Sequence, residues 1–341
     1  MDTTVEQPVT MTSEQVYALG EVSVAVATDH PRVLTYLDDF YAPDTGQRRP
    51  YWRVQARLAT PRPVMDVDGY GVGYRADPRR RRLQVWSADA TALQIGVRKA
   101  VREVMVAYCE RQRYAMLHAS AVHKDGLLMV IAGDKGAGKT TLALDAVLRH
   151  GFDYVSNDHL IVYPDPDGEI GLVVTSLPTP IPVKIGTYLA MEELLPEPWD
   201  GCGVDVDRYR VMPAEQRRGL EVRLDYTFAG FGQPNPVAVH CAGPGKARVV
   251  VVFPEFAPAA SERPRPGGGS SELEKHLRLD WVFDPAYNPR HLPYERRTVE
   301  AFVTDGQALI GELCRSAHLL TWRHDGDMRP LLETLDAGEA A

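Results

Sequence analysis

No run of this sequence approaches the roughly 18 uninterrupted apolar residues that a membrane helix needs, so no membrane partner is expected. Cysteine is scarce. Cys109, Cys202, Cys241 and Cys314 stand far apart and form no CxxC pair. That spacing argues against a disulfide framework or a zinc site and predicts buried free thiols. The opening residues Met1-Asp2-Thr3-Thr4-Val5-Glu6-Gln7 lack the positive end and apolar stretch of a signal peptide. Together these absences predict a cytoplasmic protein. Positive charge is also in deficit, with 38 Lys and Arg against 46 Asp and Glu and a net charge of −8, which disfavours nucleic acid as a partner. The local exception, Arg79-Arg80-Arg81-Arg82, follows Asp77-Pro78 and reads as a solvated turn rather than a site for acidic groups. There is no internal repeat and no second helicase-type motif.

What is present is ordinary globular composition. The chain has 341 residues, 44% hydrophobic and 25% charged, enough for one large domain or two smaller ones. Residues 1–86 read as short strands and turns. Val22–Val26 and Trp52–Leu58 alternate as half-buried strands do, and Gly69–Tyr74 with Leu83–Trp86 reads as a strand pair. Gly71-x-Gly73 lacks the third glycine of a dinucleotide fingerprint. A helix is predicted over 88–112, capped by Ser87 or Asp89, with Leu93, Val97, Val101, Val104 and Tyr108 as its apolar stripe.

The middle of the chain changes character. Leu117–Val122 reads as a strand, Asp125-Gly126 as a tight hairpin turn, and Leu127–Ala132 as a strand buried on both faces. A helix is expected from Lys139 to Arg149, ended by Gly151. Tyr154-Val155, Leu160–Tyr163 and Arg248–Phe253 are further strand candidates. Asp165-x-Asp167-Gly168 and Asp205-x-Asp207 lack the glutamate of a calcium loop and read as turns. Residues 258–271, rich in Pro, Gly and Ser, predict a mobile loop. A helix over Glu300–Arg315 turns Phe302, Ala308, Leu309 and Leu313 to the core.

Between the buried strand and its helix lies Gly133-Asp134-Lys135-Gly136-Ala137-Gly138-Lys139-Thr140, a full G-x-x-x-x-G-K-[ST] pattern. Glycines let backbone N–H groups curl around phosphate oxygens, and the helix N-terminus adds partial positive charge. Lys139 suits the β- and γ-phosphates, and the Thr140 hydroxyl suits Mg²⁺. The expected ligands are ATP or another nucleoside triphosphate together with Mg²⁺. The nucleotide-binding set is Gly133, Asp134, Lys135, Gly136, Ala137, Gly138, Lys139, Thr140 and Thr141.

With that loop, His118-Ala119-Ser120-Ala121-Val122 before it and Ser156-Asn157-Asp158 after it resemble the core of HPr kinase/phosphorylase and its kinase-like relatives. Pro180–Thr187 and Val252-Phe253-Pro254 are weaker echoes. The motif-level likeness spans His118 to Val162, and the first hundred residues show none. The resemblance implies transfer of a γ-phosphoryl group to a hydroxyl, serine above all, of a peptide, protein or small metabolite. It implies catalytic roles for Asp158, His118 and Lys139, and metal contacts from Thr140, Asp158 and Asn157. Asn157 departs from the family, which carries aspartate there as base and acid, so the reverse phosphorolysis is expected to be absent. Lys135 and Lys184 are candidate phosphate contacts, with a surface role the plainer alternative. Arg290 and Arg296-Arg297 are candidate transition-state arginines, with surface charge the commoner fate of such residues.

The implied fold is α/β. A P-loop kinase core with a mixed central sheet flanked by helices (residues 113–341) follows a smaller β-rich N-terminal region ending in a helix (1–112). A second functional class stays open: a nucleotide-binding accessory or switch subunit serving a partner protein. Self-association into a homo-oligomer is also open.

Overall fold

The computed structural model describes residues 11–46, 48–168, 170–199, 203–233, 235–258, 261–287 and 291–337. The fold is mixed α/β with several sheets, and the chain divides into two units. The first holds Met1–Tyr108 and Asp284–Arg296; the second holds Cys109–Phe283 and Arg297–Ala341. Among the described residues, no helix is long and apolar enough to cross a membrane.

The first unit carries one mixed sheet in the order β1-β2-β3-β6-β5-β4. Its strands are β1 (Ser13–Leu19), β2 (Val22–Thr28), β3 (Trp52–Leu58), β4 (Asp66–Val67), β5 (Gly73–Asp77) and β6 (Arg82–Ser87). β3 alternates buried and open positions as expected, but β2 is buried at every position, so both its faces are covered. The strand expected over Gly69–Tyr74 begins only at Gly73. Asp68 accounts for the difference: its Oδ1 accepts the N–H groups of Tyr70 and Val72 and turns the chain there. Arg79, Arg80 and Arg81 lie in the turn between β5 and β6, and Arg82 opens β6, where it pairs with Asp77.

Helix α1 (Arg32–Asp38) follows β2, and α2 (Ala90–Arg111) follows β6. Asp89 caps α2 through the Ala92 N–H at 2.7 Å, and Leu93, Val97, Val101 and Val104 are fully buried. Glu103 on α2 is buried too. Its Oε1 accepts the Leu292 N–H at 2.7 Å, and burial pushes its carboxyl up to about 7.

The second unit's strands are β7 (Ala115–Leu117), β8 (Ala119–Lys124), β9 (Leu127–Ala132), β10 (Asp153–Ser156), β11 (Leu160–Pro164), β12 (Leu172–Ser176), β13 (Ile181–Lys184), β14 (Arg223–Tyr226), β15 (Val239–Cys241), β16 (Arg248–Phe256), β17 (Arg265–Pro266) and β18 (Ala317–His324). Its helices are α3 (Lys139–His150), α4 (Ile185–Met191), α5 (Asp207–Arg210), α6 (Ala214–Arg218), α7 (Ser270–Glu274), α8 (Leu279–Phe283), α9 (Val299–Arg315) and α10 (Arg329–Asp336). A mixed six-stranded sheet runs β10-β8-β9-β16-β18-β17, with β9, β16 and β18 parallel. An antiparallel sheet, β15-β12-β11-β7, and the pair β13-β14 accompany it.

Asp125 and Gly126 join β8 to β9 with φ of 47° and 76°, which the mirror-type hairpin turn requires. β9 is apolar throughout because both its faces are covered. Met129 and Ile131 pack into a cluster with Leu142 and Leu144 of α3, while Leu128, Val130 and Ala132 pack with Leu309, Ile310 and Leu313 of α9. Each fully buried Leu, Ile or Val of this kind contributes about 1.5–3 kcal/mol.

Three expectations need correction here. The strand expected over Leu117–Val122 is broken at His118, whose flanking strands join different sheets. The segment expected to be a mobile loop contains β17, paired with β18 at Arg265↔Thr321 and Pro266↔Leu320, and the start of α7. On α9, Ala308 is exposed, and Gly306 and Ile310 complete the core face instead. Cys109, Cys241 and Cys314 are free, and burial pushes the first two thiols up to about 12. Cys202, Arg290 and the opening heptapeptide lie outside the described residues.

Candidate functional site

The site begins where β9 ends. Residues 133–138 carry the chain from the sheet into α3, with Gly136 and Gly138 at φ of 93° and 89°, a region glycine enters without steric cost. Lys139 opens α3 and is only 7% exposed. Its Nζ folds back to donate to Gly133 O at 2.7 Å and Asp134 O at 3.3 Å. Burial lowers its pKa, against the opposing pull of Asp158 and Asp134. Asp134 itself is exposed.

One turn of α3 presents two hydroxyls. Thr140 Oγ1 donates to Asn157 Oδ1 at 3.2 Å, and Thr141 Oγ1 lies 3.0 Å from Thr187 Oγ1. Asn157, just beyond β10, is 2% exposed and its Oδ1 also accepts from Tyr154 Oη at 3.0 Å. Its Nδ2 has no partner among the described residues. Two serine bridges hold this corner. Ser120 Oγ donates to Asn157 O at 2.6 Å, and Ser156 Oγ donates to Ala119 O at 3.1 Å, tying the irregular end of β10 to β8.

Asp158 comes next, with its side chain 29% exposed and Oδ1 at 3.3 Å from His118 Nε2. Burial pushes this carboxyl up, but the His118 bond and the charges of His118, His159 and Lys139 outweigh it and hold the group below its usual value. His118 stands at the break between β7 and β8, and its N–H bonds His276 O at 2.7 Å. Strand alternation would put His159 on the far face of a strand from Asp158, but both lie in the irregular link between β10 and β11. His159 is buried against Trp281, with ring centroids 3.5 Å apart. Arg278 donates to Asp158 O at 3.3 Å and holds Asp280 through two bonds of 2.9 and 3.0 Å, bracing this turn from behind.

The structure therefore brings Lys139, Thr140, Asn157, Asp158 and His118 together. Lys135 and Lys184 are less central: both reach Glu221 Oε1, at 3.1 and 3.2 Å, in exposed ion pairs. Arg297 is not available to a ligand. It is buried against Glu110 at 2.6 Å and Asp305 at 3.0 Å. Arg296 stacks over Tyr294 in the first unit. Among the described residues, Asp145, His150 and Asp327 also gather within 4.8 Å. Arg149 and the Met328 N–H already occupy Asp145, and Arg329 occupies Asp327.

Sequence reasoning missed Tyr154 and Thr187 as contacts of this site, and His324, whose Nε2 lies 2.8 Å from Ala137 O. Only the pairing of β10 with β8 and of β18 with β16 brings Tyr154 and His324 here. Compared with protein-family models and with curated proteins, the sequence gives no match.

Proposed function

We propose that this chain is a kinase with a P-loop core that binds a nucleoside triphosphate, ATP above all, with Mg²⁺ and transfers the γ-phosphoryl group to a hydroxyl. The observation that carries the reading is one continuous chain of contacts: Thr140 to Asn157, and the adjoining Asp158 to His118, beside the buried Lys139 ammonium.

The residues present fit a metal. Thr140 gives its hydroxyl proton to Asn157 Oδ1, which leaves the oxygen lone pairs for a cation. Asp158 adds a carboxylate kept ionised at neutral pH. Those two groups would hold Mg²⁺, which when bound offsets triphosphate charge. Asn157, with its oxygen taken twice and its depth of burial, orients Thr140 rather than contacting the metal as first expected.

Phosphoryl transfer depends mainly on positioning and charge neutralisation. Loop amides and Lys139 bind the phosphates. The acceptor hydroxyl gives its proton to His118, whose other ring nitrogen is held by Asp158. Its oxygen bonds to the γ-phosphorus as the bond to the β–γ bridging oxygen breaks. The nucleoside diphosphate leaves with that oxygen, its negative charge offset by Lys139.

The test is transfer from γ-labelled ATP with Mg²⁺ to serine peptides, amino acids and cell-extract metabolites, beside Lys139→Ala. Label on an acceptor, lost by at least about a hundredfold in the variant, is expected. Binding without transfer to any acceptor would replace this reading with the nucleotide-binding accessory subunit. Absence of binding would remove both.

A further inference from the structure

Glycine permits the backbone conformation of a phosphate loop but does not select it, because the same freedom admits many others. Something outside residues 133–138 has to favour one. His324 is placed to do so. It is the last residue of β18 and fully buried. Its Nε2 lies 2.8 Å from Ala137 O, and since a carbonyl only accepts, Nε2 carries the proton and donates. The next residue, Gly138, has φ of 89°, and a Cβ there would stand 2.5 Å from His324 Cε1. One ring therefore bonds the peptide before Gly138 and fills the space beside Gly138 itself.

The ring is in turn held in place. Phe256 and Trp322 lie against it at centroid distances of 5.5 and 5.1 Å, and its own carbonyl accepts the Ala257 N–H at 2.7 Å. Burial lowers its pKa, so the imidazole is neutral, and Nδ1 has no partner among the described residues. The single proton of the neutral ring is thus committed to Ala137.

We infer that His324 is a positioning residue of the nucleotide site: it selects, among the conformations that Gly136 and Gly138 allow, the one that engages the triphosphate. By bonding the Ala137 carbonyl it draws that oxygen away from the phosphates it would repel. The inference rests on the nucleotide-binding reading above.

The test measures the dissociation constant of ATP with Mg²⁺ at pH 8, by titration calorimetry on the full chain, for wild type, His324→Leu, His324→Asn and His324→Gln, with the thermal midpoint of each. Glutamine extends an N–H to the Nε2 position, and asparagine is too short. Leucine and asparagine are expected to weaken binding by about tenfold, the effect of one buried hydrogen bond lost with its acceptor left unpaired. Glutamine is expected to stay within about threefold of wild type. Leucine or asparagine variants that fold and bind like wild type would overturn the inference, as would glutamine no better than asparagine. If the leucine variant does not fold, the glutamine–asparagine pair decides. Wild-type protein that binds no triphosphate overturns the nucleotide reading itself, and this inference with it.

Discussion

Two aspartates stand at the two ends of β11, and each is met by a histidine. Asp165, past the last residue of the strand, is buried and saturated. His240 Nδ1 lies 2.8 Å from its Oδ2, Lys246 bonds the same oxygen, and Oδ1 accepts the Asp167 N–H at 3.0 Å. Asp158, before the first residue, meets His118 at 3.3 Å and remains open to solvent. The His240 and Lys246 bonds hold Asp165 far below the usual carboxylate range; Asp158 is lowered too, against the opposing push of burial. A carboxylate whose oxygens are all engaged by its own protein can only brace a turn. One with an oxygen in reach of solvent can take a ligand or steady a base.

Asp158→Asn should separate the two most. Phosphate transfer is expected to fall by about a hundredfold or more, with the thermal midpoint moved by no more than about 2 °C. A variant with wild-type turnover would erase the distinction.

Asp165→Asn should do the reverse. It leaves Lys246 without its counter-charge and weakens the bond to His240, and about 1–3 kcal/mol of stability should be lost at pH 7 in urea unfolding, with transfer per folded molecule unchanged. The folded carboxyl has a depressed pKa, so its contribution is complete above the unfolded value of about 4 and drains as pH falls below it. The acid limb of the wild-type stability curve should therefore be steeper than that of the variant. Equal limbs would show that Asp165 does not brace this turn.

The smallest effect is expected from Asn157→Asp, which sharpens the comparison by placing a second carboxylate beside Asp158. The change removes the unpartnered Nδ2 and keeps an acceptor for Thr140 and Tyr154. Half-saturation by Mg²⁺ is expected to tighten by a few-fold, about 1 kcal/mol or less. A weakened Mg²⁺ response would count against Thr140 and Asp158 as the metal-holding pair.

Much of the second unit was readable because its residues act locally. Asp125-Gly126 can form its turn, and Gly151 its helix stop, from backbone preference alone. The run Leu127–Ala132 reports two covered faces in any context. What stayed hidden depends on distant partners. Nothing in Leu117-His118-Ala119 punctuates the chain, so the break at His118 follows only from β7 joining β11 while β8 joins β9. Arg265-Pro266 looks unable to order itself until β18 offers it a backbone. His324 lies 187 positions from Ala137, and an ordinary histidine closing a strand carries no mark of that contact. In the first unit, β2 reads as half-buried because the covering of its second face leaves no mark in the local pattern.

The first unit is not contiguous in the chain: it includes Asp284–Arg296, and its buried Glu103 takes a hydrogen bond from Leu292. On a translating ribosome this imposes an order of events. At about 5–20 residues per second, roughly ten to forty seconds pass between the emergence of Tyr108 and that of Arg296. Through that interval the nascent first unit waits without its last segment, and by its end most of the second is already available to fold.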